Sequence, residues 1–279
     1  YSPEIAENLR YMREVLFPPL REMLAKEGGI AIKPILAESM QMGDENHTRQ
    51  TAADLLFDKQ VLPRLFEMDL PKEQIMRTVK TVRYIVDTPR FFHCYGQAAA
   101  RAALVAADGT EYSTMVTALA GNGVEFGIKI ASLPGQWFTA PAPMMKGRYT
   151  STQYTEKDQL PWLGDSCVVE TAGLGGFAAA ASPIVCSLRG MSLQDCIGQT
   201  REMERISIAK NPNYPIPNLD FDPLPVGIDI RLVLKTGVCP AIHGGMFNHE
   251  GGLIGAGMAR VPMECFQKAM KAFAAKYRN

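Results

Sequence analysis

The stretch MGDENHTRQTAADLL, Met42 to Leu56, sets two carboxylates, an amide, an imidazole and a guanidinium between Asp44 and Arg49, ahead of an apolar run. Gly43 reads as a helix break and Asp44 as the cap of a new helix running to about Phe57. On that helix Glu45, Arg49, Ala52 and Leu56 share one stripe, while His47, Thr51 and Asp54 share another. Ala52 and Leu56 turn the first stripe toward a core, so Glu45 and Arg49 begin on the buried side, acid before base. A partly buried acid, guanidinium and imidazole at a helix start could grip a small anion. The plain alternative is a capped helix with one solvated ion pair worth about 0.3–0.5 kcal/mol. Asp44, Glu45 and His47 are metal-ligand types, but neighbours on a helix diverge, and no metal is expected.

A second constellation is GDSCVVETAGLGGFAAAA, Gly164 to Ala181. Ser166 to Thr171 reads as a strand, Gly173 to Gly176 as a tight loop, and Phe177 onward as an Ala-rich helix. Backbone N–H groups of Gly173, Gly175 and Gly176 at a helix start suit a phosphate or carboxylate. Close helix–strand packing is the alternative use of such small residues. The run is neither a Walker loop nor a dinucleotide fingerprint. Asp165 and Glu170 flank it as a base, a cap or solvated strand ends. A third candidate is Asn122 in AGNGVEFGIK, where a plain hairpin turn is the competing reading. The last is the glycine-dense tract with His243, His249, Glu250 and Arg260, joined by Arg231 beside Asp229. A lone histidine is more often a satisfied structural residue than a proton carrier. No GxSxG elbow and no Ser–His–Asp pattern are recognisable. Cys167 reads as a buried small side chain, not a nucleophile.

The elements that must position these groups fall into an α+β class, a mainly helical subdomain over 1–110 and a mixed sheet-and-helix domain over 111–279. Ser2-Pro3-Glu4 opens a helix with Leu9, Met12, Leu16 and Leu20 on its apolar face, bent or split at Pro18-Pro19 and closed by Gly28-Gly29. Further helices fit Pro34 to Met42, Pro71 to Val86 and Pro89 to Ala107. Gly121-Asn122-Gly123 separates two apolar runs as a hairpin does, and Trp137 to Thr139 fits a strand. Tyr149 to Asp158 is polar and linker-like. A helix is expected over Ser192 to Lys210, an extended loop over NPNYPIPNLDFDPLPVG, Gly-rich loops around CPAIHGG and LIGAGMARV, and a closing helix from Pro262 to Tyr277.

Across 279 residues, 47% are apolar, and 29 acids balance 29 bases. This composition suits a globular chain with a good core. The lack of net basic charge argues against nucleic acid or an anionic membrane as partner, so local groups must hold any anion. The longest apolar stretch, Phe177 to Leu188, is too short to span a bilayer. Six scattered cysteines (Cys94, Cys167, Cys186, Cys196, Cys239, Cys265) without a CxxC read as reduced core thiols, which points to the cytoplasm. Tyr1 without a preceding methionine is what a fragment or a processed piece would show.

Together MGDENHTR, NGVEFGI with WFTAPAP, GDSCVVETAGLGGFAAAASP, IPNLDF, PVGIDIRLVLKTG and IGAGMARVPMECF resemble the bacterial YlbE-like, or AllG-like, family over essentially the whole chain. Two places depart from the family pattern. Thr48 follows His47 where asparagine is usual, and FFHCYGQAAA, Phe91 to Ala100, replaces a more typical asparagine-bearing version. The resemblance implies a subunit of the oxamate carbamoyltransferase of anaerobic allantoin breakdown, usually with a further N-terminal segment. It implies a cytoplasmic hetero-oligomer with an FdrA-like subunit and a smaller companion, beside a carbamate kinase, and leaves room for a homo-oligomer. The implied reaction is oxalurate plus phosphate giving oxamate plus carbamoyl phosphate, or the reverse, with no organic cofactor. Such a transfer needs anion sites for phosphate and a carboxylate, donors for a developing oxyanion, and a proton acceptor. Arg49, Asn122, Arg231, Arg260 and the Gly173–Gly176 N–H groups are the candidates for the first two; His47 or His243, with Glu45, for the last. A non-catalytic scaffold or ligand-binding subunit and a metal-dependent amidohydrolase of a small ureido acid are the rival expectations.

Overall fold

The helical half begins as its end groups dictate. Ser2 Oγ accepts the Ile5 N–H at 3.3 Å, and Pro3 fills the first turn of α1 (Pro3–Tyr11). The structure is a computed structural model that describes residues 2–68 and 71–278. The expected bend at Pro18-Pro19 takes the form of a π-helical turn, Met12–Leu16, leading into α2 (Phe17–Glu27) with the prolines in its first turn. The wider turn accommodates residues that cannot donate a backbone hydrogen bond. Gly28, left-handed at φ 72°, closes α2. α3 (Ile32–Gln41), α4 (Thr51–Phe66), α5 (Lys72–Asp87) and α6 (His93–Val105) follow. Met23, Ile35, Met40, Phe57, Val61, Leu65 and Ile85 form their shared core. Val169, Leu174, Ala178, Tyr214, Ile216 and Leu224, from far along the chain, complete it.

The α+β class holds, with the strands gathered after the first six helices. β1 (Val116–Asn122) and β2 (Glu125–Ile130) make the expected hairpin. Asn122 Oδ1 accepts the Val124 and Glu125 N–H groups at 2.9 and 2.7 Å, which shapes its turn. β3 (Phe138–Pro141), β4 (Lys146–Tyr149) and β5 (Leu163–Gly164) come next, and one antiparallel sheet runs β3-β2-β1-β5. The stretch SCVVET is not a strand but a tight turn into α7 (Val168–Thr171). In a strand Ser166 and Glu170 would share a face about 13 Å apart; the helical turn brings them to one side within about 6 Å of rise. Gly175–Ala181 is a buried 3₁₀ segment rather than an α-helix, followed by α8 (Pro183–Leu188).

α9 (Leu193–Glu204) carries a Ser192/Asp195 capping box and ends short of the expected Lys210. The residues beyond form β6 (Ser207–Ile216), which pairs with β7 (Asp222–Ile228), where an extended loop was expected. Pairing with a distant segment overrides the local helical pattern. α10 (Ile230–Thr236) leads to β8 (Ala241–Phe247) and β9 (Leu253–Arg260), and α11 (Met263–Tyr277) closes the chain. The Gly-rich tracts are therefore strands, in the order β4-β9-β8. Their glycines permit close approach: a Cβ on Gly147 would stand 2.1 Å from the Ala256 carbonyl oxygen. Trp162 lies between the two sheets, where a Cβ on Gly121 or Gly244 would sit 2.6 or 2.8 Å from its ring.

Cys186 and Cys196 are joined in a disulfide, so the expectation of six reduced thiols fails for this pair. The capped start of α9 and the end of α8 bring two cysteines ten residues apart within bonding reach. Among the described residues no helix is long and apolar enough to cross a membrane.

Candidate active site

Residues 44–50 do not continue α3 or begin α4; they fold inward as a loop. Gly43 at φ 100° and Asn46 at φ 62° turn it. Asp44 still caps α4, but from nine residues away: its Oδ2 accepts the Ala53 N–H at 2.8 Å, and Arg49 Nη1 binds its other oxygen. The expected Glu45–Arg49 pair on one helical stripe is thus replaced by Asp44–Arg49. Burial pushes the Asp44 carboxyl up in spite of these donors.

Glu45, released from Arg49, lies fully buried. Its Oε1 collects the N–H groups of His47 at 3.2 Å and Arg49 at 2.8 Å, and that of Thr48. Its Oε2 stands 3.3 Å from His243 Nδ1, close enough for ion pairing but not aligned as a hydrogen bond. Burial works against this carboxylate, yet His243, His47 and the backbone donors hold it down at about 2. On the other side of His243, Nε2 receives Gln199 Nε2 at 3.0 Å and Arg189 Nη1. Both are donors, which assigns the imidazole proton to Nδ1, facing Glu45. Burial, with the charge of Arg189, brings His243 down to about 4 despite Glu45.

His47, 1% exposed, is held at both ends. Nδ1 contacts Glu170 Oε1 at 2.8 Å and Nε2 contacts Ser166 Oγ at 2.9 Å. Its carbonyl accepts from Gln50 Nε2 at 3.2 Å and Arg90 Nη2 at 3.1 Å. The ring meets Trp162 edge-on, centroids 6.2 Å apart, and stacks near His93 at 6.0 Å. Burial opposes a charged His47, but Glu170 outweighs it and raises the imidazole. Glu170 Oε1 also accepts the Gly176 and His243 N–H groups at 3.1 and 2.9 Å, while Oε2 has no partner. Burial raises this carboxyl against those donors. His93 is lowered to about 3, by burial first and then by the charges of His47 and Arg90.

The glycine loop serves this cluster directly. Gly173, Leu174, Gly175 and Gly176 donate their N–H groups to Glu170 O, Val169 O, Glu45 O and Glu170 Oε1. These donors therefore face the protein's own acceptors, not outward as an anion cradle. Gly175 is left-handed at φ 58°, and a Cβ there would lie 2.2 Å from Glu170 Oε1 and 2.9 Å from His47 Cβ.

Of the residues singled out from sequence, Glu45, His47, His243, Gly175 and Gly176 meet in one buried cluster, with Arg49 at its edge. Gly173 supports it from behind, against β7. Asn122 shapes the β1–β2 turn, and Arg231 is spent on Asp229 at 2.7 Å; both make their contacts elsewhere. Arg260 binds Glu202 at 2.5 Å and the Cys239 carbonyl, near enough for its charge to act on Arg189. Sequence reasoning missed Ser166, Arg90, Arg189, Gln199 and Trp162, and left Glu170 as a flanking acid. The four-residue spacing of Ser166 and Glu170 was the one available signal. The sequence offers no recognisable Ser–His–Asp pattern; the fold brings Ser166, His47 and Glu170 into a serine–histidine–acid row from two segments far apart in the chain. Among the described residues no group of three or more His, Cys, Asp or Glu side chains is arranged to hold a metal ion.

A family model described as the oxamate carbamoyltransferase subunit AllG matches residues 1–166. The uncharacterized protein YahG of Escherichia coli (strain K12) is 36% identical over 275 residues, 98% of this chain and 57% of its own length. The oxamate carbamoyltransferase subunit AllG of the same organism is 34% identical over 278 residues, 98% of this chain and 65% of its own. The chain thus spans 57% and 65% of these relatives. A crystal structure of a conserved protein of unknown function from Enterococcus faecalis V583 superposes with a TM-score of 0.91 at 35% identity, over 98% of this chain and 65% of that one.

Proposed function

The chain belongs to the AllG family of oxamate carbamoyltransferase subunits, and on that premise we propose that it supplies the proton-transfer groups of such an enzyme. The reaction is transfer of a carbamoyl group between oxalurate and phosphate, releasing oxamate and carbamoyl phosphate, or the reverse. The observation that carries this reading is His47, clamped between the buried Glu170 and the part-exposed Ser166. In the oxalurate-to-oxamate direction the departing amide nitrogen must gain a proton; in the other direction it must lose one. An imidazole whose Nδ1 is fixed by a carboxylate and whose Nε2 meets a half-buried hydroxyl suits both.

The ligands of this reaction are anionic, while the chain carries no net charge. Arg49, Arg90 and Arg189, around the buried acids and histidines, supply local positive charge for a carboxylate and a phosphate. An FdrA-like subunit and a smaller companion complete the enzyme in this reading. The test is carbamoyl phosphate formation from oxalurate and phosphate by the reconstituted complex. His47→Ala should lower the rate by about 10²–10⁴-fold, the usual worth of a positioned acid–base group. A complex that assembles with His47→Ala or Arg49→Ala and turns over at the parent rate refutes the site. Oxamate binding with no turnover in the full complex would favour a ligand-binding subunit instead.

A further inference from the structure

We propose that Ser166 is the carbamoyl acceptor of this site: the group passes first from the donor to Ser166 Oγ, and from there to the second substrate. The inference rests on the carbamoyl-transfer reading above and adds a covalent step to it.

Three observations carry it. First, Ser166 Oγ lies 2.9 Å from His47 Nε2, and the opposite ring nitrogen lies 2.8 Å from Glu170 Oε1. This is the order hydroxyl, imidazole, carboxylate that activates a serine. Second, the three groups are graded in depth. Glu170 and His47 are buried, and Ser166 is only half-buried, so the hydroxyl is the member that a small molecule can reach. Third, among the described residues the hydroxyl has no structural employment. α7 begins after Cys167 with no side-chain cap, and Ser166 Oγ is hydrogen-bonded to His47. Ser166 lies one residue outside the cap position of α7, and its hydroxyl is turned toward a base. The neighbouring thiol does not compete, because burial holds Cys167 well above its ordinary value.

The steps balance without an oxidant or a cofactor. Ser166 Oγ attacks the ureido carbonyl carbon of oxalurate while its proton moves to His47 Nε2. The bond from that carbon to the amide nitrogen breaks, the nitrogen takes the proton from His47, and oxamate leaves. Ser166 now carries the carbamoyl group as a carbamate ester. A phosphate oxygen then attacks the ester carbon, the bond to Oγ breaks, and the phosphate's proton returns through His47 to Oγ. Glu170 acts on the reaction only through His47 and is a positioning residue throughout.

The reconstituted complex tests this with two readings. Isotopically labelled oxamate should exchange into oxalurate in the absence of phosphate, at a rate comparable with turnover, because the first half-reaction runs alone. Carbamoyl phosphate, offered without oxamate, should add one carbamoyl group to the peptide that contains Ser166. Ser166→Ala, which removes a single half-buried oxygen, should abolish both while leaving the melting temperature and subunit assembly unchanged. Full turnover without phosphate-independent exchange, or parent-like turnover in Ser166→Ala, overturns the covalent route and leaves the transfer reaction standing. Ser166 that stays unmodified in a complex consuming carbamoyl phosphate overturns it equally. A complete complex with no oxalurate-dependent product overturns the proposed reaction itself, and is read apart from modification of Ser166.

Discussion

Replacing Glu170 with glutamine exchanges a carboxylate for an amide of nearly the same shape at a fully buried position. Oε1 accepts three donors, His47 Nδ1 at 2.8 Å, Gly176 N at 3.1 Å and His243 N at 2.9 Å, whereas Oε2 accepts none. An amide oxygen can keep all three bonds with its NH₂ in the unpartnered place, so the substitution removes charge and little else. The Glu170 charge is what raises the His47 imidazole, so removing that charge should lower the His47 titration midpoint. The sign for stability follows. His47 is raised in the folded protein above its ordinary 6.5. Its contribution is therefore complete below that value and is lost as the pH rises through the folded midpoint. Glu170→Gln should remove this alkaline loss. Glu170→Ala instead orphans three buried donors at about 1–3 kcal/mol each, on the order of 3 kcal/mol or more in sum. The assays are an NMR titration of the His47 ring, the pH–rate profile of the complex, and urea unfolding of both variants. An unmoved His47 midpoint in Glu170→Gln, or equal destabilisation by glutamine and alanine, refutes the reasoning.

Acid should destabilise the fold in two stages. His243 and His93, lowered to about 4 and about 3, stay neutral when folded but protonate near 6.5 when unfolded. Their contribution is complete above 6.5 and drains away as the pH falls toward those values, which denaturant melts between about pH 7 and pH 4 would show. Glu45 adds a second loss as the pH falls from 4.5 to about 2; a stability flat across both windows contradicts these assignments. Gly175→Ala must push Glu170 Oε1 away from a Cβ only 2.2 Å distant, in a left-handed backbone. It should cost about 1–3 kcal/mol or more in unfolding assays and most of the activity. Arg49→Ala leaves the buried Asp44 carboxylate unpaired and should destabilise by roughly 3 kcal/mol. Arg231→Ala leaves the buried Asp229 carboxylate with only the Thr114 hydroxyl and a backbone N–H; it should lower stability in unfolding assays and leave turnover of the folded complex intact.

The chain announced its helical first half and its β1–β2 hairpin because capping residues, proline positions and an Asn-Gly turn act locally. The β8–β9 hairpin stayed hidden for the opposite reason. Its glycines look like loop residues until β4 and Trp162 are seen pressing on them. The first residues of β6, 207–210, read as the end of a helix and the rest as a loop, because the pairing partner lies beyond a turn at Asp220, itself left-handed. At the site, the residue types at 45, 47 and 243 were readable, but their roles were not. Glu45 was assigned to Arg49 by helical spacing, and only the inward loop gives it to His243. Glu170 could not be recognised as a partner of His47 across 123 residues of sequence.

One carboxylate oxygen, Glu170 Oε1, fastens a ring from the first fifth of the chain, an N–H six residues away and an N–H from β8. A nascent polypeptide still short of residue 243 cannot satisfy that oxygen, however well its early helices have formed. Closing such wide sequence gaps is the slow part of folding. Catalytic competence and completion of the β4-β9-β8 sheet must then arrive together, so a ribosome-bound intermediate is chemically silent until the segment that carries β8 has been made.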